Sequence, residues 1–316
     1  MQNQEYYYGK IKASIEEISR TVIGKKSVIE KLLMAILSNG HVLLEDIPGV
    51  GKTTLALAFA ECLGLNANRI QFTPDVTPSD LMGFNMYNKK SGDFEFRPGA
   101  AMCNVLLADE INRTSPKTQS ALLQIMEEGM VSVDGVTYKL PEPFFVIATE
   151  NPYGSAGTQK LPESQLDRFM IRTSIGYPVI SDEAEILKLR SDKRNARIQT
   201  RRVLSDDDLK GLFEAVNSVY VHDDIYRYVA KFAAATRGHA TISCGLSPRG
   251  SICLISMAKA HAFFDGRDYV IPLDIHEILH EVVDHRIVRL SSLGSNGDNY
   301  DIVEQIIREV PVPSIS

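Results

Sequence analysis

Between Val42 and Thr54 the chain reads VLLEDIPGVGKTT, a spacing of residue types suited to gripping a phosphate. Backbone N–H groups of a glycine loop, with the positive end of the helix that follows, cradle the β- and γ-phosphates of a nucleotide. Lys52 adds a point charge, and the Thr53 hydroxyl can ligate Mg2+. Pro48, Gly49, Val50, Gly51, Lys52, Thr53 and Thr54 are therefore the candidate nucleotide-binding residues. The generic loop begins with glycine, and here that position is Asp46. A second constellation is Val105–Glu110 (VLLADE), 53 residues beyond Lys52, where an apolar run ends in two carboxylates. At a nucleotide site the first, Asp109, would hold the metal or its water, and the second, Glu110, would polarise the attacking water. A lone Asp-Glu is commonly a solvated turn; the upstream loop is what favours the metal reading.

Two further residues complete the set. Asn151 follows the apolar run FFVIA at Phe144–Ala148. Ligands of α/β sheets sit at the carboxyl ends of strands, so Asn151 could orient the water or touch the γ-phosphate. By itself Asn-Pro is only a turn. Ser247-Pro248-Arg249 has serine suited to an N-cap and proline to N1. Arg249 then projects from a first helical turn, either to reach a phosphate held between two domains or as a plain surface arginine.

The elements that must position these groups follow from periodicity. Residues 10–20 carry Ile11, Ile15 and Ile18 on one helical stripe, and 26–37 form a second helix ending at Asn39-Gly40. Val42–Glu45 reads as a buried strand, and the run from Lys52 to about Gly64 as a helix. Arg69–Thr73 is a strand, the Pro-Asp-Val-Thr-Pro-Ser-Asp run a loop, and Phe84–Tyr87 and Phe94–Phe96 two short β pieces. Ser115–Glu128 is a helix and Val131–Leu140 a hairpin around Asp134-Gly135. Beyond Ser181 only helices are expected: 182–190, 205–218, 224–236, 248–264, 273–285 and 299–309. The fold class is thus α/β, a parallel sheet flanked by helices over 1–180, with an insertion at about 77–97 and a hairpin at about 131–140. A smaller all-helical domain covers 181–316.

Composition sets the class. The 316 residues are 44% hydrophobic and 23% charged, as in ordinary globular proteins, with net charge −6. That balance provides no global electrostatic footprint for nucleic acid. Four scattered cysteines without CxxC spacing read as buried free thiols in a reducing compartment. No basic-then-apolar signal opens the chain, and no run approaches the roughly 18 apolar residues of a membrane span. A cytoplasmic location is expected.

One motif competes. His276-Glu277-Ile278-Leu279-His280 is a literal HExxH on an expected helix. Both imidazoles would share a face and could hold Zn2+, with Glu277 as general base and Glu304 as third ligand. Ile275, Ile278, Leu279 and Val282 instead form an apolar stripe suited to a packed helix, which leaves a zinc metallopeptidase a remote alternative. A nucleic-acid-directed motor is the other rival, but the insertion and hairpin hold few cations: Lys89, Lys90, Arg97 and Lys139.

Taken together, the motifs resemble those of the AAA+ ATPases, and specifically the MoxR-type branch, over nearly the whole chain. LLEDIPGVGKTT resembles the Walker A segment, with Asp46 a variant this branch tolerates, and LLADEINRTSPKTQSALLQIMEE the Walker B segment with its following helix. DFEFRPGA is similar to the end of the insertion within the second helix. ATENP resembles the sensor 1 strand, which implies that role for Asn151. LPESQLDRF is similar to the segment bearing the arginine finger, implying that Arg168 acts on a neighbouring subunit's ATP. SPRG resembles sensor 2, implying Arg249, and Val22-Ile23-Gly24 the adenine-pocket segment, implying Ile23 and Gly24. The resemblance also implies a homo-oligomeric ring, usually a hexamer, hydrolysing Mg·ATP between subunits. Members act as chaperone-like factors that mature or activate client proteins, often by metal-cofactor insertion and commonly with a partner carrying a von Willebrand factor A (VWA) domain.

Overall fold

The computed structural model describes residues 2–47, 49–151, 161–191, 199–290 and 299–314. Helices α1 (Gln2–Thr21) and α2 (Lys26–Leu37) lead in, separated by a break in which Gly24 has φ +73. Strand β1 (Val42–Glu45) feeds α3 (Lys52–Leu63), which is bounded by Gly51 at φ +97 and Gly64 at φ +70. Glycine takes this left-handed backbone without the Cβ clash that other residues meet. Strand β2 (Ala67–Gln71) ends before the expected Arg69–Thr73 run does. The stretch expected as a loop contains a short helix, α4 (Pro78–Met82), where the Thr77 N–H donates to Asp80 Oδ2 at 2.8 Å. Strands β3 (Gly83–Asn88) and β4 (Asp93–Pro98) then form an antiparallel ribbon.

Strand β5 (Val105–Asp109) leads through a 3-10 turn to α5 (Pro116–Glu128), whose N-cap Ser115 accepts from the Thr118 N–H. A hairpin, β6 (Met130–Val133) and β7 (Val136–Lys139), precedes β8 (Phe145–Glu150), α6 (Glu163–Leu166) and β9 (Ile171–Thr173). The two antiparallel ribbons touch: Phe96 stacks on Tyr138 with ring centroids 3.9 Å apart.

The main sheet has the order β2-β5-β8-β1-β9 and every pairing is parallel. Parallel strands are buried on both faces and read as continuous apolar runs. Accordingly Val42, Leu44, Val105, Leu107, Phe145 and Ile147 enter one buried cluster, and Leu43, Leu106, Ala108, Val146 and Ala148 another. Because the strands are parallel, their carboxyl ends line one edge of the sheet and their amino ends the opposite edge.

The rest is mainly helical: α7 (Ile180–Ser191), α8 (Asp206–Asn217), α9 (Asp223–Gly238), α10 (Pro248–Phe264), α11 (Pro272–Glu277), α12 (Leu279–Val283) and α13 (Tyr300–Glu309). The expectation of helices alone needs one correction. Between α9 and α10 lies β10 (Ile242–Cys244), antiparallel to β11 (Val288–Arg289) after α12. Such short, long-range pairing leaves no local period to read. The first buried cluster, built on α1 to α3, continues without interruption into α8 to α13.

Candidate active site

At the carboxyl edge, β1 runs into the Asp46–Gly51 loop and α3. Pro48 lies outside the described residues. Gly49 has φ +88 and Gly51 φ +97, and a Cβ at either would meet no atom within 4 Å, so the loop borders open space. No side chain caps the start of α3. Its first N–H groups therefore have no partner from a cap and suit an anion. Lys52 is 9% exposed, and its ammonium donates to the Asp46 carbonyl oxygen at 2.6 Å. Burial lowers its pKa, while the charges of Asp46, Asp109 and Glu110 raise it.

Asp46, the departure from the glycine pattern, has a structural purpose. It is 5% exposed, and its carboxylate accepts the Ile175 N–H and, at 3.0 Å, the Gly176 N–H. The side chain turns away from the loop and ties its base to the chain that leaves β9.

Asp109 ends β5 and Glu110 follows it. Asp109 Oδ1 accepts from the Thr149 hydroxyl at 2.9 Å, and Oδ2 accepts from Arg69 Nε at 2.9 Å. Glu110 has φ +57, a left-handed backbone unusual for a non-glycine residue, and its N–H donates to Thr149 Oγ1 at 2.9 Å. Its carboxylate accepts from Gln71 Nε2 and from Arg113, each at 2.8 Å. Asn151 stands at the end of β8, where its carbonyl oxygen accepts from Asn112 at 3.3 Å. The parallel register, Leu44 with Thr149 and Ala108 with Ala148, brings Lys52, Asp109, Glu110 and Asn151 to one edge.

Arg69, Gln71 and Thr149 were not expected to contribute. The signal was present in β2: Arg69 and Gln71 are polar at alternate positions of a strand, and the pairing of Gln71 with Asp109 sets both beside the carboxylates.

Ile23 and Gly24 lie in the α1–α2 break. A Cβ on Gly24 would overlap the Asp182 carboxylate near the start of α7, and Lys25 donates to the Tyr177 carbonyl at 2.8 Å.

Arg168 and Arg249 lie elsewhere. Arg168 precedes β9, and next to it the Met170 N–H donates to the His41 carbonyl oxygen at 2.7 Å, just before β1. That is the amino edge of the sheet. Arg249, in the first turn of α10, meets it there: both guanidiniums pair with the Glu127 carboxylate at the end of α5. Helix α5 begins beside the carboxyl edge, where Gln119 donates to the Ile111 carbonyl at 3.0 Å. From Ser115 to Glu127 it rises roughly 18 Å. Glu127 thus holds Arg249 at the far edge from its own chain's phosphate loop.

The backbone speaks against the remote HExxH alternative and breaks the one helix expected over 273–285. Ile278 has φ −114 and ψ 5, which ends α11 between the two histidines, so they do not share one continuous helical face. The His276 ring bonds Tyr228 Oη at 2.8 Å. His280 bonds Asp284 at 3.1 Å and Glu304 at 3.1 Å. Among the described residues the one converging group of metal-type ligands is His261, Asp265 and Asp274. Arg267 already supplies its cation, donating to Asp274 at 2.7 and 2.5 Å and to Asp265 at 3.0 Å.

Comparison with known proteins gives these edges a setting. Residues 41–171 match the ATPase family associated with various cellular activities (AAA), and residues 234–306 match the AAA lid domain. The uncharacterized protein YeaC of Bacillus subtilis is 44% identical over 99% of this chain and 98% of its own. Chaperone MoxR1 of Mycobacterium tuberculosis is 37% identical over 97% of this chain and 83% of its own. The crystal structure of a candidate ATPase from Cytophaga hutchinsonii superposes with a TM-score of 0.93 at 38% identity, covering 99% of this chain and 98% of that one.

Proposed function

Since this chain belongs to the MoxR-type AAA+ ATPases, we propose that it hydrolyses Mg·ATP at sites shared between neighbouring copies in a ring, six-membered in our reading. One observation supports this most strongly: the phosphate loop with its carboxylates and the pair Arg168 and Arg249 occupy opposite edges of one sheet. An arginine there cannot serve its own chain's nucleotide, but it can serve that of a copy stacked edge to edge. A guanidinium supplied in trans stabilises charge on the transferring phosphoryl group.

In this reading Pro48 to Thr54 wrap the phosphates, Lys52 neutralises them, and Ile23 and Gly24 line the adenine pocket. The uncapped start of α3 and the open space at Gly49 and Gly51 fit a phosphate. Thr53 and Asp109 supply the oxygen donors that Mg2+ prefers. When bound, the ion would neutralise charge on the phosphates. Glu110 takes the proton of the attacking water and Asn151 orients that water or touches the γ-phosphate. Gln71 and Arg113 both bond Glu110 Oε2, which leaves Oε1 to take up the water.

Turnover would serve chaperone-like maturation or activation of client proteins or complexes, with a VWA-domain partner; the relative named chaperone MoxR1 supports the first part. All four cysteines are free thiols, three buried as expected and Cys244 exposed, which fits a reducing cytoplasm. No helix among the described residues is long and apolar enough to cross a membrane.

Steady-state Mg·ATP hydrolysis measured across protein concentrations tests the reading. Activity per subunit should climb with concentration, and Glu110→Gln should lower kcat about 10²- to 10⁴-fold while ATP still binds. Concentration-independent activity, or full activity in Glu110→Gln, would refute it.

A further inference from the structure

Two arginines from distant parts of the chain share one carboxylate. One oxygen of Glu127 takes Arg249 Nη2 and the other takes Arg168 Nη1, which also donates to the Leu123 carbonyl at 3.0 Å. The three side chains are 43%, 30% and 44% exposed for Arg249, Arg168 and Glu127, so the group faces outward. Guanidiniums this close repel unless an anion lies between them.

The backbones that carry the two arginines are joined just beneath. The Asp167 carboxylate accepts from the Ser247 hydroxyl at 3.0 and 2.9 Å and from Arg286 Nε at 2.9 Å. Ser247 is the N-cap of α10, accepting from the Gly250 N–H at 3.0 Å. Arg286 has 1% side-chain exposure and also donates to the Phe169 and Met170 carbonyl oxygens. A buried arginine satisfied on several sides locks the geometry of what it touches. The neighbours of Asp167 and Ser247 therefore emerge side by side.

We propose that Glu127 is a positioning residue that yokes Arg168 and Arg249 into a single two-pronged phosphate-binding group, presented to the nucleotide of an adjacent subunit. This rests on the reading that the amino edge serves a neighbour. Two guanidiniums and one carboxylate leave a net positive charge. Each guanidinium has five N–H donors, of which the Glu127 and Leu123 contacts use a minority, so an outer edge remains for phosphate oxygens. Glu127 acts by orientation and makes no contact with the substrate itself.

The test is steady-state ATP hydrolysis by the full chain at concentrations that saturate assembly. It compares Glu127→Gln and Glu127→Ala, Arg168→Ala with Arg249→Ala together, and the triple variant. The expected result is a kcat about tenfold lower for both Glu127 variants, with KM for ATP within about twofold of the parent. The thermal midpoint should fall by no more than a few degrees, since both ion pairs of Glu127 are partly exposed. Adding Glu127→Gln to the double arginine variant should cost nothing more, because there is then nothing to orient. If the double arginine variant is impaired but Glu127→Gln and Glu127→Ala turn over normally, the yoke is wrong and the shared site stands. A Glu127 effect that persists in full without the arginines also overturns the yoke. If the double arginine variant itself is fully active, the shared site and the yoke fall together.

Discussion

The carboxyl edge of the sheet and its amino edge are built in opposite ways. At the carboxyl edge the groups come from consecutive residues or paired strands: Lys52 on α3, Asp109 on β5 with Glu110 just after it, Thr149 on β8. At the amino edge they come from α5, the segment before β9 and the start of α10, held by ion pairs between residues as far apart as Glu127 and Arg249. The first is a local product of strand, loop and helix. The second exists only after the chain has packed. With about five residues of strand between them, the edges lie roughly 15 Å apart. In the proposed reading neither completes the other within one copy, and the chemistry then requires assembly.

The largest effects should come from disabling each edge separately. Lys52→Ala and Arg168→Ala should each lower kcat/KM by about 10³-fold or more. Mixed in equal amounts, they should regain up to about a quarter of parental activity, because a quarter of randomly formed head-to-tail interfaces pairs an intact loop with an intact arginine. No recovery on mixing would break the comparison between the edges.

Next comes the joint beneath the arginines. Arg286→Met strips Asp167 and several carbonyl oxygens of a buried donor. Urea denaturation should show a loss of about 3 kcal/mol. A loss well under 1 kcal/mol would mean that this joint does not hold the amino edge.

His41 gives the amino edge a pH dependence. Its Nδ1 accepts from the Val146 N–H at 3.0 Å, leaving Nε2–H to donate to the Met126 carbonyl at 3.0 Å, next to Glu127. Burial pushes its pKa down to about 4. With the folded pKa lowered, the unfolded chain binds the proton first. The contribution is complete above the ordinary value near 6.5 and is lost as pH falls toward 4. The stability advantage of the parent over His41→Asn should shrink by about 2 kcal/mol between pH 7.5 and pH 5. A gap constant with pH would show that the folded ring titrates like the unfolded one, and a widening gap that it is held charged.

Asp46→Asn should have the smallest effect. It keeps one of the two acceptors that hold Ile175 and Gly176, so about 1 kcal/mol of stability should go. A much larger drop in ATP affinity than in stability would put Asp46 in the phosphate cradle itself.

What could be read from the sequence divides along the same line. The apolar runs of β1, β5 and β8 were legible because both faces of a parallel strand are buried, and the capped α5 and α10 because Ser-Pro at a helix start has a local cause. The Asp46 departure was visible, but its bonds to Ile175 and Gly176 were not, since those partners lie about 130 residues away. HExxH shows the limit of a motif from the other direction. A motif fixes side-chain types but cannot say whether the helix beneath it continues, and Ile278 interrupts this one.

By itself the sequence determined the strand–loop–helix that suits a phosphate, the paired carboxylates after it, and the α/β class they sit in. All of these depend on neighbours a few residues apart or on burial periodicity. Only the tertiary structure decided that Arg249 joins Arg168 on Glu127, that Arg69 and Gln71 flank the carboxylates, and that the arginines stand at the far edge. Those contacts depend on strand register and on where α10 packs, and both are set by the whole apolar core rather than by any short stretch of chain.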